Sequence, residues 1–121
     1  MVIKHCPASK ALGAVISGID LAKPIDGKTV GALKEIWAEN LVMIFRNQSL
    51  SDDDLIRFSS YFGECEKAPI GDSVLGTNIP PEITVVSNVK ENGKTIGFLG
   101  TGELTWHTDM SYIPEPADAS G

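Results

Sequence analysis

The chain has 121 residues, of which 42% are hydrophobic and 21% are charged, so it can form one modest domain with its own core. Sixteen acidic residues against ten basic ones give a net charge of -6, and the scattered basic residues argue against a nucleic-acid partner. The longest apolar run, from Leu41 to Phe45, is far shorter than the ~20 residues that cross a bilayer, and no signal-peptide core precedes it. We therefore expect a cytoplasmic protein with no membrane segment and a single domain over 1–121.

The first part of the chain predicts a strand, a helix and a second strand. Segment 11–21 is rich in small and branched apolar residues and is broken by glycines, which is typical of a strand near a sheet edge. Asp26 is predicted to cap a helix that runs to about Asn40. The apolar residues of this helix recur at spacings of three and four: Val30, Leu33, Ile36 and Trp37. The run 41–45 then predicts a strand with both faces covered.

A second helix is predicted to begin after Ser51. Ser51 and Asp54 have the spacing of a capping box, and the acidic residues that follow Ser51 suit the positive end of a helix dipole. The predicted buried stripe consists of Leu55, Phe58 and Phe62. Gly63 is the expected stop, because glycine adopts the left-handed conformation that closes many helices.

The remaining chain predicts a hairpin that leads to a loop. After a stretch rich in proline and glycine, 69–81, we expect a strand over 82–89, a turn at Asn92-Gly93, a second strand over 94–99 and a loop over 99–103. Trp106 and His107 follow this loop.

His107 and Asp109 have a spacing that suits a metal site. In an extended segment, side chains at positions i and i+2 leave the same face with origins ~6–7 Å apart, so both can reach one ion. They would supply two of the three ligands of a 2-His-1-carboxylate Fe(II) site. The same triplet also arises by chance, with the histidine bonded to a backbone carbonyl. Trp106 is a candidate wall against water and Tyr112 a candidate packing or hydrogen-bonding partner, with core packing as the alternative for both.

Three stretches together resemble one enzyme family, in the same order. They are "LGAVISGIDL", "LVMIFRNQSLSDDDLIRFSSYFGE" and "WHTDMSYIPEPADAS". The sequence resembles the TauD/TfdA family of Fe(II)- and 2-oxoglutarate-dependent dioxygenases over nearly its whole length. The resemblance implies an α+β fold that is the N-terminal part of a double-stranded β-helix, or jelly roll, with an incomplete barrel. It also implies that His107 and Asp109 are iron ligands.

The resemblance also shows what this sequence lacks. In the family, a second histidine ligand and an arginine that pairs with 2-oxoglutarate follow further along the chain, whereas His5 is the only other histidine here. The two arginines, Arg46 and Arg57, correspond to a region before the barrel. We therefore expect an N-terminal portion that has no 2-oxoglutarate-binding residue and is inactive alone. Open strand edges predict self-association or a partner chain that completes the barrel.

For the complete enzyme, the resemblance implies oxidation of a small organic substrate with O2, with 2-oxoglutarate leaving as succinate and CO2. The substrate-pocket candidates are Glu103, Trp106 and Tyr112. Ala68 and Gly71 stand where the taurine enzyme has a histidine and a tyrosine, and the anionic Glu103 replaces an asparagine, which argues against taurine itself. The competing hypothesis is a non-catalytic interaction module, or a degenerate relative, in which His107 and Asp109 form a structural turn.

Overall fold

The computed structural model describes residues 2–67, 79–95 and 105–121. The elements are β1 (Lys4–Pro7), β2 (Ala14–Ser17), α1 (Gly27–Asn40), β3 (Met43–Phe45), α2 (Asp52–Ser60), β4 (Lys90–Glu91) and β5 (Lys94–Thr95). They belong to two compact units, Met1–Glu64 and Cys65–Gly121. The expectation of a single domain remains a prediction.

The first unit contains a three-stranded sheet in the order β1-β2-β3. β2 is antiparallel to β1 and parallel to β3. The predicted position of β2 near an edge is therefore wrong, because it is the central strand of this sheet. Its inward residues Ala14 and Ile16 are buried, which explains why small and branched side chains occupy it. Gly18 ends the strand with φ +79, and a Cβ there would lie 2.8 Å from the Val2 carbonyl oxygen.

Helix α1 begins and ends close to the predicted residues. The Asp26 carboxylate accepts hydrogen bonds from the Thr29 backbone N–H (2.9 Å) and from its hydroxyl (2.8 Å), which confirms the predicted cap. Leu33 and Ile36 are buried in the core. The helix ends at Leu41, whose φ of 67 is left-handed.

The connection between β2 and α1 contributes to the core without regular structure. Its buried apolar residues are Ile19, Leu21 and Ile25. Side chains from later in the chain hydrogen-bond to its backbone. Gln48 accepts from the Leu21 N–H and donates to the Ile19 carbonyl. Arg57 donates to the Leu21 carbonyl, and the Tyr61 hydroxyl accepts from the Ile25 N–H. Apolar side chains can therefore be buried here while these backbone groups keep hydrogen-bond partners.

Strand β3 is shorter and more open than predicted. Met43–Phe45 are half-buried, whereas Leu41 and Val42 are 66% and 44% exposed. The expectation that both faces of 41–45 would be covered is therefore wrong. β3 pairs only with β2 in the described part of the chain, so it is an edge strand.

Helix α2 confirms the predicted capping box but not the predicted stop. The Ser51 hydroxyl accepts from the Asp54 N–H (3.1 Å), and the Asp54 carboxylate accepts from the Ser51 N–H (3.0 Å). The predicted stripe of Leu55, Phe58 and Phe62 is half-buried. Gly63 does not take the left-handed conformation, because the helix ends at Ser60 and Tyr61 is right-handed. The N–H groups of Tyr61 and Phe62 satisfy carbonyls three residues back, which tightens the last turn without glycine.

The second unit contains a minimal hairpin. Asn92 and Gly93 both have positive φ, at 50 and 77, which confirms the predicted turn. It joins β4 and β5, which pair at two positions. The strand predicted over 82–89 is wrong, because no described segment pairs with it and only Lys90–Glu91 are in a ladder.

The described residues contain the small sheet, the hairpin and two helices, and they do not show the barrel. The loop over 99–103, the strand beyond Thr95 and most of 69–81 lie outside the described residues. No helix within the described ranges is long and apolar enough to cross a membrane.

Candidate metal centre

The segment 105–121 is a series of turns, and it brings His107 and Asp109 together. Met110, which follows Asp109, has a left-handed φ of 55, and the Ile113 N–H donates to the Met110 carbonyl at 3.2 Å. The chain therefore reverses just after Asp109. In this geometry His107 Nε2 lies 3.1 Å from Asp109 Oδ1, so the two predicted metal ligands converge on one point.

The other ring nitrogen of His107 is held by the backbone. Nδ1 lies 2.6 Å from the Thr105 carbonyl oxygen. A carbonyl can only accept a hydrogen bond, so Nδ1 carries the proton. This contact sets the tautomer and ring orientation in the way that a carbonyl does for many metal-binding histidines. It leaves Nε2 as the nitrogen that can coordinate an ion.

The pKa of His107 is raised from its ordinary value of 6.5. The hydrogen bond to the Thr105 carbonyl is the main cause, and the hydrogen bond and charge of Asp109 add to it, while desolvation opposes it. Both ring nitrogens face an acceptor, and these contacts favour the protonated form of the ring. The pair is solvent-exposed, with 53% and 57% of the two side chains accessible.

The second oxygen of Asp109 has a separate partner. The Ser120 hydroxyl donates to Asp109 Oδ2 at 2.8 Å. The sequence does not predict this contact, since no local pattern indicates a hydrogen bond between residues eleven positions apart. The carboxylate is thus held by Ser120 on one oxygen and directs the other towards His107.

The pair fits a divalent transition metal in its donor set and spacing. Two ligands at about 2.1 Å from an ion, on adjacent corners of an octahedron, lie about 3.0 Å apart. The observed 3.1 Å between Nε2 and Oδ1 is close to this value. Within residues 2–67, 79–95 and 105–121, no group of three or more His, Cys, Asp or Glu side chains could hold an ion. The pair therefore presents two donor atoms to an ion, Nε2 and Oδ1.

The structure describes two of the three predicted substrate-pocket residues. Trp106 is fully exposed and Tyr112 is 84% exposed, so neither packs in a core. Glu103 lies outside the described residues. Their contact with a substrate remains a prediction. His5 lies on β1, in the other compact unit.

Comparison with known proteins identifies the family. Residues 4–121 match the family described as taurine catabolism dioxygenase TauD, TfdA family. Because the match covers nearly the whole chain, this protein belongs to that family, as the three sequence stretches predicted.

Individual relatives agree with this assignment. The chain is 36% identical over 119 residues to pentalenolactone F synthase from Streptomyces avermitilis, a match that covers 94% of this chain and 37% of the relative. It is 31% identical over 114 residues to (S)-phenoxypropionate/alpha-ketoglutarate-dioxygenase from Delftia acidovorans, covering 94% of this chain and 39% of the relative. The chain thus spans less than two fifths of the length of these relatives.

A solved structure supports the same fold. The crystal structure of a taurine dioxygenase from Burkholderia xenovorans matches with a TM-score of 0.53 and 30% sequence identity. The match covers 56% of this chain and 25% of that one. The described sheet and helices are therefore consistent with a part of that fold.

Proposed function

We propose that this chain supplies the first two iron ligands of an Fe(II)- and 2-oxoglutarate-dependent dioxygenase. His107 contributes Nε2 and Asp109 contributes a carboxylate oxygen. The observation that carries the proposal is the 3.1 Å approach of these two atoms, with Nδ1 already bound to Thr105, in a chain of this family.

In this proposal, the residues of this chain bind the metal ion and orient its ligands. Thr105 holds the His107 ring so that Nε2 faces the ion, and Asp109 offers negative charge that offsets the charge of the metal. Fe(II) and 2-oxoglutarate held at these residues would supply the activation of O2, in which one oxygen atom enters the substrate and the other enters succinate, with release of CO2. The protein's task is to hold the ligands and exclude water, while the metal and co-substrate supply the difficult chemistry.

The substrate is proposed to be a small organic molecule. The relatives named above are a phenoxypropionate dioxygenase and a synthase of pentalenolactone F, which supports this coarse class. Glu103, Trp106 and Tyr112 are the proposed contacts with the substrate. An anionic Glu103 disfavours taurine, because it would repel a sulfonate. We place the protein in the cytoplasm.

We also propose that the chain does not turn over substrate by itself. The described residues offer two ligands where a facial triad needs three, so the affinity for Fe(II) should be weak. Arg57 already binds Asp54 (2.8 Å) and the Leu21 carbonyl, and Arg46 lies in the same compact unit. The family resemblance assigns neither arginine to the charge-assisted pair with 2-oxoglutarate.

The proposal is tested by equilibrium dialysis of the chain against Fe(II) under nitrogen, followed by addition of 2-oxoglutarate. We expect weak Fe(II) binding that His107→Ala and Asp109→Asn both abolish, and no charge-transfer absorption with 2-oxoglutarate. Equal Fe(II) binding by the unmodified chain and His107→Ala would refute the metal site. A charge-transfer band, or succinate released after admission of O2, would refute the claim of inactivity.

The competing function is a non-catalytic interaction module. One observation favours it: both ring nitrogens of His107 lie within hydrogen-bond distance of acceptors in the chain, as they would in a structural turn. In that case His107→Ala would lower the stability of the second unit and leave Fe(II) retention unchanged, so the same dialysis separates the two functions.

A further proposal concerns assembly. β3 is an edge strand with an unpaired side in the described part of the chain, and the residues that lead into it, Leu41 and Val42, are exposed. Such an edge can pair with another strand. We propose that the chain self-associates, or binds a partner chain, through this edge.

A further inference from the structure

We propose that Ser120 is a positioning residue for the metal ligand Asp109. This inference rests on the proposed metal site and adds a residue to it. The Ser120 hydroxyl donates to Oδ2 at 2.8 Å, whereas Oδ1 is the oxygen that faces His107 Nε2. In this proposal, Oδ2 holds the carboxylate in place through Ser120, and Oδ1 binds the metal ion.

The hydrogen bond fixes the orientation of the carboxylate. An exposed aspartate turns about its terminal torsion, which is broad and roughly two-fold, and so exchanges its two oxygens. Asp109 is 57% exposed, so packing alone does not restrain it. A donor on Oδ2 holds Oδ1 towards the point that it shares with Nε2. Hydrogen-bonding partners of ligating carboxylates act in this way in other metal sites.

Ser120 can make this contact because the chain turns back on itself. The left-handed Met110 and the turn that closes at Ile113 follow Asp109 directly. The hydrogen bond then joins the two ends of the segment 109–120. Ser111 is closer in sequence and is also exposed, but no hydrogen bond joins it to Asp109 in the structure. It is therefore a matched control.

The experiment is a titration of the full chain with Co(II), which is stable in air and binds nitrogen and oxygen sites more tightly than Fe(II). Affinity is measured from the Co(II) absorption bands, and the shifted ring signals of His107 are followed by proton NMR. We expect Ser120→Ala to weaken Co(II) binding about tenfold, the lower end of the effect of losing a ligand's partner. Ser120→Thr, which keeps the hydroxyl, should restore most of the affinity, and Ser111→Ala should have no effect.

The outcomes separate this inference from the proposed function. If the unmodified chain and His107→Ala bind Co(II) equally, the metal site itself is wrong. If His107→Ala abolishes binding while Ser120→Ala matches the unmodified chain, the site stands and the role of Ser120 is refuted. The role of Ser120 would also be refuted if Ser111→Ala lost as much affinity for Co(II) as Ser120→Ala, or if Ser120→Thr did not restore that affinity. Circular dichroism of each variant checks that the fold is kept.

Discussion

At the scale of single residues, the protonation of His107 should control metal binding at the proposed site. Metal and proton compete for Nε2, so metal binding releases a proton. The pKa of His107 is raised, chiefly by the Thr105 carbonyl, so the competing proton stays bound to a higher pH than on an ordinary histidine. Metal affinity should therefore be low below this pKa and should rise as the pH passes through it.

The measurement is a series of Co(II) titrations between about pH 5 and 8, with the midpoint expected above the ordinary histidine value of about 6.5. Proton NMR of the metal-free chain gives the pKa of His107 independently, and the two midpoints should agree. Co(II) binding that does not change over this range would show that Nε2 is not a ligand.

The residues of the site differ in how far the sequence could predict them. His107 and Asp109 are two positions apart, so the backbone geometry of a short segment is enough to place them on one face. Ser120 is eleven positions from Asp109, and Gln48 is 27 and 29 positions from the backbone groups of Leu21 and Ile19 that it binds. Such contacts depend on the path of the chain between the partners, which no local pattern records.

At the scale of elements, the helices were predictable because their signals are local. Asp26 and the Ser51–Asp54 box cap their helices as expected, and both contacts span three residues. Strands require a partner, so the segment 82–89 could be predicted as a strand from its sequence although nothing in the described chain pairs with it. For the same reason, the sequence alone did not predict that β2 is the central strand and β3 an edge strand of the described sheet.

The end of α1 gives a prediction at this scale. Leu41 is held at a left-handed φ of 67, where its N–H donates to the Trp37 carbonyl at 2.7 Å. A side chain in this region costs about 1–2 kcal/mol, whereas glycine adopts it freely. Leu41 is also largely exposed, so little packing is lost on its removal. Leu41→Gly should raise the free energy of unfolding by about 1 kcal/mol in urea denaturation.

Leu12→Gly is the control for this change. Leu12 is 47% exposed and does not have a positive φ, so glycine there gains nothing in the folded state and makes the unfolded chain more flexible. It should lower stability. A decrease in both variants would show that the left-handed turn at Leu41 is not strained.

At the scale of the whole molecule, the two edges of the three-stranded sheet differ in how well they are protected against pairing with another strand. Among the described residues, β1 is an exposed edge that carries the charged Lys4 and ends at Pro7, and a charge and a proline discourage pairing with another strand. β3 has no charged residue, and the exposed Leu41 and Val42 precede it. Self-association should therefore use the edge of β3 rather than that of β1.

This difference predicts the effect of one charge on assembly. The Val42 carbonyl accepts a hydrogen bond from the Ala14 N–H of β2 at 2.9 Å, so the Val42 side chain can change without loss of that bond. Val42→Lys should weaken self-association roughly tenfold, equivalent to about 1.4 kcal/mol. Sedimentation equilibrium over a range of concentrations measures it. Val86→Lys, an exposed valine of the other compact unit, is the control. If both variants weaken association equally, the contact is general hydrophobic adhesion and not pairing at β3.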